Sequence, residues 1–113
     1  MGYIDAMKAT EALFTEATPI ASPQSINQAG NYLLFGGAKP INGTEDRLAF
    51  LLVLAANSYS GKNGLMEKVE DMRKRILESA FDFSLLSIKR AELLSQTLFS
   101  VVLEVNITIN TQG

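Results

Sequence analysis

From Phe99 to Asn110 one set of alternate positions, Phe99, Val101, Leu103, Val105, Ile107 and Ile109, is wholly apolar, and the set between is Ser100, Val102, Glu104, Asn106, Thr108 and Asn110. Successive side chains of a strand point to opposite faces, so strict period-two alternation with β-branched enrichment predicts a half-buried antiparallel strand. At about 3.3 Å per residue the strand would reach about 40 Å, about twice the usual length. A strand of that reach overshoots the core of one small domain. The economical expectation is that its distal half, with Val105, Ile107 and Ile109, packs against or pairs with another subunit.

The remaining segments place other elements around this strand. In Arg47 to Asn57, RLAFLLVLAAN, both alternating sets are apolar, which predicts a central strand covered on both faces; a helix competes, because Leu and Ala favour one. Leu65, Val69, Met72, Ile76 and Ala80 recur at helical spacing, with Glu70–Lys74 and Asp71–Arg75 as i, i+4 pairs on the outer face. Asn63 is placed to cap this helix, and Arg73-Lys74-Arg75 falls late in it, which suits the helix dipole. Gly2 to Glu16 predicts a first helix with Ile4, Met7 and Leu13 or Phe14 inward. Thr18 to Asn31 carries loop chemistry, anchored by Ile20 or Ile26. Tyr32 to Phe35 predicts a short strand ending at Gly36-Gly37 in a bulge or turn, and Pro40 to Thr44 a connection. Phe81 to Ser87 is expected as a connector and Ile88 to Ser95 as a short strand. The order implies an α+β fold: an antiparallel or mixed β-sheet of about four strands covered by two helices, as one domain over residues 1–113.

Composition bounds the chemistry. The 113 residues include no His and no Cys, which removes the thiolate nucleophile, the cysteine zinc cluster, the commonest metal ligand and the usual general base. No enzymatic activity, metal or cofactor is expected. Ten Lys plus Arg against 12 Asp plus Glu give a net charge of −2, contrary to the basic surface that neutralises nucleic-acid phosphates. Asp5, Lys8 and Glu11 interrupt the N-terminal segment, so it does not read as a signal peptide. The longest uncharged apolar run, Leu48 to Ala56, is under half of the roughly 20 residues a membrane-spanning helix needs, and a soluble cytosolic protein is expected.

Candidate motifs resolve toward ordinary structure. Ser58 to Gly64, SYSGKNG, lacks the upstream glycine and the following Ser or Thr of a phosphate-binding loop, and Gly36-Gly37 lacks the spaced third glycine of a dinucleotide site. The carboxylates Glu45, Asp46, Glu67, Glu70 and Asp71 read as solvated surface charge rather than an acid–base pair or a cation site. Asn42-Gly-Thr44 and Asn106-Ile-Thr108 match the glycosylation pattern but carry no functional weight here. Phe81, Phe83 and Phe99 read as core rather than the lining of an apolar ligand cavity.

From Glu45 onward the succession EDRLAFLLVLAANSY, a polar turn, LMEKVEDMRKRILESAF and then LFSVVLEVNITIN resembles the small tail terminator and tail completion proteins of long-tailed bacteriophages, including the Mu-like group. The resemblance covers about Tyr32 to Asn110, with Gly2 to Glu16 matching the family's leading helix. It implies a ring, usually of six subunits, that caps the head-proximal end of the tail tube, stops its polymerisation and presents a surface to the neck. The implied partners are further copies of the chain, the tail tube protein and a neck or head-completion protein, with DNA passing through ungripped and no membrane involved. The implied location is the virion tail or neck, after assembly in the host cytoplasm. Tyr59 and Lys62 join Val105, Ile107 and Ile109 as the expected subunit or partner contacts. Two alternatives stand beside this reading. One is a small α+β ligand-binding or regulatory domain whose glycine-rich turns at helix starts hold an anion. The other is a different head–tail connector component, a head-closure or tube protein.

Overall fold

The computed structural model describes residues 2–79, 83–93 and 97–111. Its elements in chain order are α1 (Tyr3–Leu13), β1 (Ala17–Pro19), a 3-10 turn (Pro23–Ser25), β2 (Gly30–Pro40), β3 (Glu45–Ala56), α2 (Leu65–Glu78), β4 (Phe83–Arg90) and β5 (Phe99–Asn110). The strands form one sheet in the order β1-β2-β3-β5-β4. All neighbours are antiparallel except β1 and β2, so the fold is α+β with a mixed sheet of five strands and two helices.

β3 and β5 occupy the centre and pair along their whole lengths, from Glu45 opposite Asn110 to Ala56 opposite Phe99. This full pairing corrects the expectation drawn from the length of β5. Its reach is matched by a second strand of 12 residues within the chain, and α1 packs against it. Val105, Ile107 and Ile109 are 0%, 2% and 2% exposed and belong to the intrachain core, so they do not wait for a neighbouring subunit to cover them. Tyr3 of α1 donates a hydrogen bond to Asp46, the residue opposite Ile109, and so ties the helix over the far end of the strand.

β3 is a strand rather than the competing helix, because ladders on both sides satisfy its backbone while both faces bury side chains. Leu48, Phe50, Leu52 and Leu54 are buried on one face, and Val53 and Ala55 on the other. The expected end of β2 at Gly36-Gly37 is also corrected. The strand runs on to Pro40 through a bulge between Phe35 and Gly37, where Gly37 has φ +125°, a conformation that side chains with a Cβ rarely adopt. Asn42 Oδ1 then accepts from the backbone N–H groups of Thr44 and Glu45 and closes the hairpin.

β4 begins at Phe83, inside the segment expected as a connector, because an extra residue at Leu86 breaks its alternation and hides the strand from a period-two reading. Ala91, Glu92 and Leu93 are no longer strand, and Leu94 and Ser95 lie outside the described residues, as do Ala80 and Phe81. Part of the expected loop Thr18 to Asn31 is recruited to the sheet as β1, and Ile26, 1% exposed, is its anchor.

The inward face of α1 differs from expectation at Ile4 alone. Ile4 is 72% exposed, and Ala6, Ala9, Thr10 and Phe14 are buried, with Met7 and Leu13 packed at the side. Thr10 tolerates burial because its hydroxyl donates to the Ala6 carbonyl at 2.8 Å. In α2 the stripe is as expected: Leu65, Met72 and Ile76 are buried and Val69 is partly so. Gly64, rather than Asn63, takes the cap position. A Cβ on Gly64 would stand 2.7 Å from the Ser60 carbonyl. No helix among the described residues is long and apolar enough to cross a membrane.

Candidate functional site

Both helices pack on the same face of the sheet, joining Leu33, Leu48, Phe50, Leu52, Leu54, Leu103 and Val105 in one core. The opposite face has no helix among the described residues. At one end it is covered by connecting segments, through Ile20 and Ile26 on one side and Leu93 and Leu98 on the other, packed over Leu34, Val53 and Ala55. At the other end no segment among the described residues covers the sheet. Lys39 lies opposite Arg47, which lies opposite Thr108, and one row in, Gly37, Ala49, Asn106 and Ser84 run across four strands.

The bulges of β2 and β4 fall at the same level of the sheet, on either side of the row Phe35–Phe50–Val105–Leu85. Bulges sharpen local twist and bend the strand that carries them. Beside this line, on the helix-free face, lies a depression of about 340 Å³ lined by Gly36, Gly37, Lys39, Arg47, Ala49, Glu104 and Asn106. Asn106 is 8% exposed and its Oδ1 has no hydrogen-bond partner among the described residues. Lys39, Arg47 and Glu104 likewise form no ion pair among them.

Of the expected contact residues, Tyr59 and Lys62 share the loop before α2, far from the buried Val105, Ile107 and Ile109. Tyr59 is 56% exposed and stacks obliquely on Phe99 with ring centroids 4.1 Å apart. It lines an open groove of about 790 Å³ with Met66, Ile88, Arg90, Phe99 and Val101. Lys62 is exposed and borders neither concavity.

The same loop uses up the donors that an anion would need. The first amides of α2, Leu65 N–H and Met66 N–H, donate to the carbonyls of Ser58 at 2.9 Å and Tyr59 at 3.0 Å. A helix start attracts anions through unsatisfied N–H groups, and these two are satisfied internally.

The candidate carboxylates are dispersed. Glu45 accepts from the Asn42 amide at 3.0 Å, Asp46 accepts from Tyr3, and Asp71 pairs with Arg75 at 3.1 Å. Glu67 and Glu70 stand exposed on α2 without an ion pair among the described residues. Arg75 has a second partner, forking onto both carboxylate oxygens of Glu16 just beyond α1 and joining the two helices. Those hydrogen bonds pull the Glu16 carboxyl down to about 2. Asp46 acts oppositely on Tyr3, whose hydroxyl is raised above its ordinary value by the hydrogen bond it donates.

The depression on the helix-free face was not singled out by sequence reasoning. Its signals were present as the double glycine, Arg47 at the head of the apolar run, and Glu104 and Asn106 in the polar set of β5. What joins them is cross-strand register, which the sequence does not display. No protein-family model matches the chain, and no curated protein matches it.

Proposed function

We propose that this chain is a ring-forming structural protein of a long-tailed bacteriophage, a tail terminator that caps the tail tube and meets the neck. The observation that carries the reading is the build of the subunit. A leading helix and a long central β5 follow the element order of the resembling family, and both helices cover one face of the sheet while one end of the other face has no cover among the described residues. Such a two-layer unit leaves a surface for a further copy. The tail tube protein and a neck or head-completion protein are the other partners, and the net charge of −2 suits a conduit that lets DNA pass.

Light scattering and negative-stain electron microscopy of the full chain, alone and with tail tubes, test the proposal. A ring, formed in solution or on tube ends, is expected. A monomer or dimer under both conditions overturns it. The groove beside Tyr59, of about 790 Å³, favours the second reading of a ligand-binding domain, since its volume is within the range of small-molecule sites. That reading requires a ligand-dependent rise in melting temperature.

A further inference from the structure

We infer that the subunits of such a ring meet back to front, the bare end of the sheet of one copy receiving the outer face of α2 of the next. The inference deepens the ring reading and rests on it for the presence of a second copy. It starts from two like-charge pairs. Lys39 and Arg47 are directly opposite each other on β2 and β3, on the helix-free face. Side chains so placed have Cβ atoms about 4.5–5.5 Å apart, and like charges there repel. Glu67 and Glu70 are three residues apart on the exposed side of α2, with Cβ atoms about 5–6 Å apart. None of the four forms an ion pair among the described residues. The two pairs match in spacing and oppose in sign, so one contact sets each against its opposite charge.

The pattern continues beyond the pairs. Along β5 the depression next presents Asn106 and then Glu104, about 7 Å and about 13 Å from the Lys39–Arg47 row at the rise of a strand. Along α2 the exposed Lys74 follows the midpoint of Glu67 and Glu70 by about 8 Å at the rise of a helix. A flexible ammonium with three donors, arriving between those two positions, meets the Glu104 carboxylate and the Asn106 Oδ1, which has no donor among the described residues. Cation pair, amide oxygen and carboxylate on the sheet therefore face carboxylate pair and ammonium on the helix, in that order.

The two surfaces lie on opposite outer sides of the subunit, because α2 packs on one face of the sheet and the depression opens on the other. They cannot meet within one chain. A contact between two different patches is heterologous, and repetition of it closes a ring or runs on as a filament.

Charge reversal in the full chain tests the contact. Arg47→Glu and Glu70→Arg, made separately, are each expected to raise the concentration needed for assembly by at least about tenfold, with circular dichroism and melting temperature unchanged. Mixing the two variants should restore assembly, since each then offers the surface that the other lacks. If both single variants assemble like the parent, the contact is wrong and the ring reading stands. If they fail to assemble and the mixture fails too, this pairing of surfaces is wrong. A filament that both reversals disperse and the mixture rebuilds keeps the contact and removes the ring. A parent chain that stays monomeric alone and with tail tubes overturns both.

Discussion

The two faces of the sheet are made by the same strands and do different things. On the helix-covered face Leu52, Leu54, Leu103 and Val105 are each 0% exposed, sealed under α1 and α2. On the helix-free face the bare end carries Lys39, Arg47, Glu104 and Asn106 around small residues at Gly37, Ala49 and Ser84. One face therefore holds most of the folding free energy, since each fully buried Leu contributes roughly 1.5–3 kcal/mol. The other face tolerates charge and an amide oxygen without a partner among the described residues because less of the core depends on it. The two sides of one layer thus contribute unequally to stability.

The strongest way to break this division is to place charge or polarity under the helices. Met72→Asp should abolish folding or soluble expression, because Met72 is 2% exposed and an unpaired buried carboxylate has no partner there. Ile107→Ser together with Ile109→Ser should act the same way. Helical circular dichroism and assembly should be lost together, which would separate a core role from an interface role for β5.

A milder substitution sharpens the comparison within a single strand. Leu52→Ala on the covered face should lower stability by about 2–5 kcal/mol, read from denaturant midpoints. Leu51→Ala next to it, half-buried on the helix-free face, should cost clearly less. Equal losses would mean that the helix-free face is as essential to folding as the other.

Acid titration probes the clasp that holds the helices to their face. Glu16 is lowered from an ordinary 4.5 to about 2 by the hydrogen bonds from Arg75. A depressed carboxyl stabilises the folded state fully above its unfolded value, and that contribution is lost as pH falls through the folded value, here between 4.5 and about 2. With side chains 29% and 49% exposed, solvent screening keeps the contribution below about 1 kcal/mol. Arg75→Gln should remove this segment of the pH–stability curve and leave the rest in place.

The smallest expected effect belongs to the helix-free face. Asn106→Leu replaces an amide of similar shape whose Oδ1 has no partner among the described residues, so the stability of the isolated chain should be unchanged or slightly raised. A large loss in melting temperature would show that the amide is held by the fold.

Much of this architecture was legible in the residues. The alternation in β5, the doubly apolar β3 and the α2 stripe each bury one set of positions at a fixed period, and a period survives in any tertiary setting. The misreadings fall where an extra residue or a small residue breaks that rule. β2 was cut short at its glycines and β4 was displaced by Leu86, because a bulge shifts the period by one. In α1 Met7, Leu13 and Phe14 meet the core as their spacing predicts and Ile4 alone departs, because the small Ala6 and Ala9 with Thr10 allow close approach to the sheet.

By itself the sequence determined the helices α1 and α2, the strand β5, the α+β class and the lack of His and Cys chemistry, since these follow from periodicity and composition within each segment, whereas β1 and the start of β4 lie in segments that read as loop and connector. The tertiary structure alone decided that β5 finds an equal partner in β3, that both helices choose the same face, and that Lys39, Arg47, Glu104 and Asn106 converge. Those are matters of register and layering between segments distant in the chain. A one-residue slip would send every one of these side chains to the other face, so no local pattern could contain them.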